Sequence, residues 1–208
     1  MTARLILRVG GLHTIAADLP SFRPTHLIGI LDPAMPEPPA YAHEPASRDA
    51  LVMRFRDTET GADDGPQVDH VAALLALIER ALVAPSGRLF IHCHGGVSRS
   101  TATAYTALVR RNGAARAGES FAELLRLTNK PWPNRTIVRH ADELLGAGGR
   151  MLAALDAYRS AHPQRLDAYL RLHRIRAARD PVYGEMLGVA SWRPPQRRTR
   201  RRAGKDPE

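Results

Sequence analysis

The stretch from residue 88 to residue 111 constrains the fold more than any other part of this chain. Residues 88–93 have the apolar character of a buried strand. Gly95 and Gly96 follow, and a helix-compatible run then extends from Ser98 until Asn112-Gly113 stops it. Strand, tight loop and helix in that order are a unit of α/β architecture. Residues 5–9, 27–31 and 51–55 are further short apolar runs of strand character, and the first two suit a parallel sheet. Five of the 16 prolines crowd between residues 33 and 45, which predicts an irregular surface loop; the Gly- and Asp-rich residues 58–66 predict another.

Val68, Val71, Leu75, Ile78 and Leu82 recur at spacings of three and four, predicting a helix over 67–83 with that stripe in the core. Further helices are expected over 119–128, from an Asn134 N-cap to Leu145, and over 150–158 and 165–178. Strands that alternate with helices early, followed by helices alone, define the expected class. It is α/β, with a central, mainly parallel sheet flanked by helices and a C-terminal helical extension. The expected division is a main domain over 1–160, the helical extension over 161–191 and a basic, disordered tail over 192–208.

With 208 residues, 44% hydrophobic and only 5% aromatic, the chain can build one sizeable core, mostly from aliphatic side chains. Its longest apolar run, residues 71–78, is far short of the ~20 residues of a membrane-spanning helix. Arg4, Arg8 and His13 interrupt the N-terminal apolar stretch where a secretory segment would be continuous, so a cytoplasmic protein is expected. One cysteine, Cys93, excludes an internal disulfide framework and any site built from several thiolates. The formal charge of +9 is uneven: residues 161–208 hold 12 basic against 5 acidic side chains (+7), residues 1–160 hold 18 against 16 (+2). The cluster Arg197, Arg198, Arg200, Arg201, Arg202 and Lys205 reads as a solvated tail. Contact with nucleic acid or an anionic surface is not favoured, because no aromatic platform accompanies it.

The chemistry concentrates in His92-Cys93-His94-Gly95-Gly96-Val97-Ser98-Arg99-Ser100. If the chain turns there into a helix, the backbone N–H groups of residues 94–99 converge on one small volume that fits a tetrahedral dianion. The helix N-terminus adds partial positive charge, Arg99 can grip two oxygens with its planar fork, and the same field favours a cysteine thiolate. Ser100 can donate to the sulfur, and His92 can support the loop from beneath, while His94 is placed at the pocket rim. A lone cysteine is ordinarily a small buried hydrophobe. Here Gly-Gly, an arginine and a serine coincide behind a strand, and that conjunction favours a nucleophile. His92 and His94 find no further ligands at metal spacing, so neither a metal nor another cofactor is expected.

His-Cys-x5-Arg-Ser resembles the signature loop of the protein tyrosine phosphatase superfamily. The short chain resembles its compact dual-specificity branch, which includes predicted bacterial tyrosine phosphatases. Pro133-Asn134 opening a helix is similar to that branch too, and the likeness spans about residues 4 to 158. The resemblance implies metal-free hydrolysis of a phosphorylated protein or small phosphomonoester through a cysteinyl-phosphate. It also implies an acid for the leaving oxygen, at the end of the strand before the helix that leads to the cysteine strand. Asp57 matches that place, with Asp63 and Asp64 as rivals in the same loop. Trp132-Pro133-Asn134 superficially resembles the acid loop of larger tyrosine phosphatases, but it follows the cysteine and offers an amide. Asn134 is therefore a supporting residue or a helix cap. Lipid phosphatases of the superfamily tend to carry lysines in the loop, and residues 94–98 have none. Two alternatives are a rhodanese-like sulfurtransferase, in which Asp57 and Ser100 have no task, and a non-catalytic phosphate-binding adaptor.

Overall fold

The computed structural model describes residues 5–43, 48–129 and 131–179. Four parallel strands, β1 (Ile6–Gly11), β2 (His26–Leu31), β3 (Asp49–Arg54) and β4 (Arg88–Cys93), form one sheet in the order β1-β4-β2-β3. The fourth strand in sequence is thus inserted between the first two. That reversal of strand order places the end of β4, and with it Cys93, where α/β sheets bind ligands.

Side-chain alternation sorts the strands onto two faces. Leu89, Ile91 and Cys93 of β4, with Ile28 and Ile30 of β2, face the main core. That core is closed by α2 (Val68–Val83), α3 (Arg99–Asn112), α4 (Ala117–Leu127), α5 (Arg135–Leu144) and α6 (Arg150–Ala161). Phe90 and Leu27 face the other way, against Ile15, Leu19 and Phe22 of α1 (Ile15–Phe22). Helix α3 runs through the centre and is buried from Arg99 to Val109. Its Thr103 and Thr106 hydroxyls donate to the carbonyls of Arg99 and Ala102, which lets polar side chains occupy a core helix.

Three expectations are corrected. Helix α1 falls in a stretch assigned to no element; Pro20 removes one N–H from it, yet the spacing of Ile15, Leu19 and Phe22 covers the second face of the sheet. The stripe of α2 is rotated: Val71, Leu74, Leu77, Ile78 and Ala81 are buried, whereas Val68 is 43% exposed and Leu75 and Leu82 are half-buried. The proline-rich stretch is not merely a surface loop, because Met35 is buried and a 3-10 turn over Pro39–His43 carries Tyr41 onto the sheet.

Compact units divide at residue 165, and a second unit begins at Leu166, described as far as residue 179 within α7 (Arg165–Arg179). The remainder of the expected extension and the basic tail over 192–208 lie outside the described residues. No helix among the described residues is long and apolar enough to cross a membrane.

Candidate active site

Cys93 ends β4 and α3 begins at Arg99, so residues 94–98 form the loop at the carboxyl end of the central strands. Gly95 is buried there, and Gly96 and Val97 are half-buried. Gly96 has φ +69°, and a Cβ on it would lie 2.6 Å from Gly10 O, so the close seat of this loop on β1 admits glycine alone. Leu12 N–H donates to His94 O (2.9 Å) from that side. From the other side Trp132 N–H donates to Val97 O (2.9 Å) and Asn134 N–H to Ser98 O (3.3 Å). Cys93 is 1% exposed, with its Sγ 3.2 Å from Ser100 Oγ. A hydroxyl at that distance can donate to a thiolate.

Arg99 is buried and held from three directions. Its Nη1 donates to Asp32 Oδ1 (2.7 Å) and to the Phe55 carbonyl, while Nε lies 3.7 Å from Asp57 Oδ2 and has no hydrogen-bond partner. Burial acts to lower its pKa, but Asp57, Cys93 and Asp32 together outweigh that and raise it, so the guanidinium keeps its charge. Pinning Nη1 fixes the plane of the fork and leaves Nε, ion-paired with Asp57, without a hydrogen-bond partner. That is the arrangement needed for two-point capture of an oxyanion.

Asp57 lies just past β3 and is drawn to the cysteine loop. Its Oδ1 accepts from Ser98 Oγ (2.7 Å) and from Asn134 Nδ2 (2.8 Å). Asn134 also caps α5, its Oδ1 accepting from Ile137 N–H (3.1 Å), so one side chain both starts the helix and tethers the carboxylate. The rivals lie elsewhere: Asp63 and Asp64 are exposed, and Asp64 pairs with Arg56 at 2.7 Å.

His92 is fully buried below the loop. Its Nδ1 faces the Cys93 carbonyl (3.5 Å) and Nε2 bonds the Tyr41 hydroxyl, which approaches through the space left by Gly29. Burial pushes the His92 pKa down to about 4 and that of Tyr41 up. A neutral imidazole that donates from Nδ1 therefore accepts from the tyrosine. His94 is not at the rim as expected. It is 3% exposed beneath the loop, with Nδ1 3.4 Å from Asp32 Oδ2 and Nε2 3.4 Å from the Asp32 N–H that donates to it.

Asp32 and Tyr41 are the site residues that sequence reasoning missed. Asp32 follows the last residue of β2, and a carboxylate just past the end of a parallel strand is a signal available in the sequence; Tyr41 is the lone aromatic among the prolines. Among the described residues no group of three or more His, Cys, Asp or Glu is arranged to hold a metal ion.

The chain has the fold of the dual-specificity phosphatases. The solved structure of DUSP15 matches with TM-score 0.54 at 16% identity, over 75% of this chain and 94% of that one. The PTP-2 phosphatase of Cydia pomonella matches with TM-score 0.51 at 20% identity, over 70% and 89%. At these identities the likeness is one of fold. No protein-family model and no curated protein matches the sequence.

Proposed function

We propose that this chain is a cysteine-dependent phosphoric monoester hydrolase of the protein tyrosine phosphatase type, acting on phosphotyrosine, with phosphoserine and phosphothreonine as further candidate substrates. The observation that carries this reading is the tether of Asp57. A carboxylate from the end of β3 is fastened by Ser98 and Asn134 to the same loop that holds Cys93 and Arg99. A sulfurtransferase has no task for that carboxylate. An anion-binding adaptor has none for Ser100 beside the sulfur.

In the first step the Cys93 thiolate attacks phosphorus. The S–P bond forms as the P–O bond to the alcohol breaks, and Asp57 gives its proton to the departing oxygen. Arg99 and the loop N–H groups hold the non-bridging oxygens, where negative charge must be stabilised through the transition state. In the second step water attacks the cysteinyl-phosphate, its proton passes to the Asp57 carboxylate, and phosphate leaves a thiolate that Ser100 Oγ–H supports. Water is the only co-substrate that the two steps need. Residues 1–160 hold every group used.

The acid assignment is tested by leaving-group dependence. Asp57→Asn is expected to lower kcat/KM, which reports the first step, by about 10²–10⁴-fold for a phosphotyrosine peptide, the range of a lost general acid, and far less for an aryl phosphate whose phenol is very acidic. Asp63→Asn and Asp64→Asn are expected to behave as wild type on both. Loss of rate in either control, with Asp57→Asn unimpaired, would move the acid along the loop.

A further inference from the structure

Asp57 lies in a long connection between β3 and α2, whose middle, residues 59–61, is exposed. Glu59, Thr60 and Gly61 border a cleft of about 240 Å³ together with Arg135, Thr136 and Arg139, and a Cβ on Gly61 (φ +75°) would touch nothing within 4 Å. A segment with so little packing holds its conformation only through specific bonds. Asn134 Nδ2 donates to the Thr58 carbonyl (3.2 Å) and Arg56 pairs with Asp64 (2.7 Å), while Glu59 between them is held chiefly by one side chain. Arg159 of α6 donates through Nη1 to Glu59 Oε2 (2.9 Å) and through Nη2 to Glu59 Oε1 (2.5 Å), a two-point pair. The same Nη2 donates to the Pro133 carbonyl (2.8 Å), and the guanidinium lies 4.8 Å from the centre of the Trp132 ring. Glu59 Oε1 also accepts the Arg135 N–H at the start of α5 (2.7 Å). The nearby carboxylate of Asp156 is engaged by the Arg135 guanidinium (3.1 and 2.9 Å), so Arg159 is left to Glu59.

One guanidinium therefore joins the acid loop, at Glu59, to the 131–134 segment whose N–H groups bond the cysteine loop at Val97 and Ser98. We propose that the Arg159–Glu59 pair is a latch that positions the general acid over the nucleophile from outside the substrate pocket. Arg159 is a positioning residue; it sets the distance between two catalytic loops and touches no reacting atom. This rests on the reading of Asp57 as the acid. It assigns the fold's sixth helix a part in the reaction that neither the cysteine loop nor its resemblance supplies.

The test is a double-mutant comparison in the full chain, with phenyl phosphate as the poor leaving group and p-nitrophenyl phosphate as the better one. Arg159→Gln and Glu59→Gln are each expected to lower kcat/KM for phenyl phosphate, which reports the first step alone, by about 10–100-fold, the scale of a catalytic group displaced by about an ångström. On p-nitrophenyl phosphate the loss in kcat/KM is expected to be several-fold smaller. In an Asp57→Asn background Arg159→Gln is expected to cost nothing further on either substrate. Glu59→Gln, a change in an exposed loop, repeats the measurement where folding is not at stake. Equal losses on both substrates, or a further loss in the Asp57→Asn background, would make Arg159 a merely structural residue and overturn the latch. A full effect of Asp57→Asn with none from Arg159→Gln or Glu59→Gln would overturn the latch alone. Absence of leaving-group dependence in Asp57→Asn itself would remove the acid assignment, and the latch with it.

Discussion

Cys93→Ser is expected to abolish turnover, by on the order of 10⁴-fold or more, while the protein stays folded and still binds substrate. A serine hydroxyl in place of the sulfur remains protonated at neutral pH. No base is placed beside it to change that in the first step, where Asp57 carries the proton for the leaving oxygen: Ser100 Oγ, the neighbour at 3.2 Å, is itself a hydroxyl, and His92 is turned to Tyr41 and the Cys93 carbonyl. The swap is small and the position is buried, so packing changes little. The oxyanion cradle and Arg99 are untouched. A phosphotyrosine peptide is therefore expected to bind the variant with affinity close to its affinity for wild type, measured by calorimetry, while steady-state release of phosphate falls to background. Turnover retained in the variant would reject a cysteine nucleophile.

Arg99→Lys is expected to be the next most damaging change, on the order of 10²–10³-fold in kcat/KM. An ammonium preserves the charge but not the fork. In the wild type, Nη1 is committed to Asp32 and the Phe55 carbonyl, and Nε has no hydrogen-bond partner, so it can turn to the oxyanion. A lysine offers one point charge to both tasks. If it turns to Asp32, the phosphate loses its grip; if it turns to the phosphate, Asp32 and a buried carbonyl lose a donor. Inhibition by inorganic phosphate should weaken in parallel, since the product occupies the same grip. Near-normal kcat/KM, or unaltered phosphate inhibition, would contradict the assignment of Arg99 as the group that holds the oxyanion.

The cysteine loop was legible in the sequence because all its parts are local. A strand, two glycines, an arginine and a helix start within a dozen residues leave little for tertiary structure to decide. Asp57 was singled out by the resemblance, which expects an acid at the end of the strand before the helix that leads to the cysteine strand, and the strand run at 51–55 ends beside it. Asp32 also follows a strand end, but its meeting with Arg99 depends on β2 lying next to β4, and strand order is not written in any one segment. The register that sets Gly29 against His92 carries the chain beyond β2 alongside the cysteine loop. His94 was misplaced for the same reason, since its burial follows from that neighbouring strand end.

Glu59 and Arg159 stand a hundred positions apart, and nothing local distinguishes either from any other surface charge. The rotated stripe of α2 has a different cause. Leu74 and Leu77 belong to the same near-continuous apolar run as Leu75, and periodicity within such a run cannot choose which side faces the sheet. The 3-10 turn with Tyr41 was hidden by prolines, which mark an irregular path without saying where it leads.

The most direct test of the central claim is to stop the full-chain enzyme in acid during turnover of p-nitrophenyl phosphate and locate the phosphoryl group by peptide mass spectrometry. Asp57→Asn is included because loss of the group that accepts the proton from water should make the covalent species accumulate. The expected result is one phosphoryl group on the peptide containing Cys93, increased in Asp57→Asn and absent in Cys93→Ser. A phosphoryl group on another residue, or an unmodified Cys93 in both active forms while phosphate is being released, would contradict cysteinyl-phosphate catalysis.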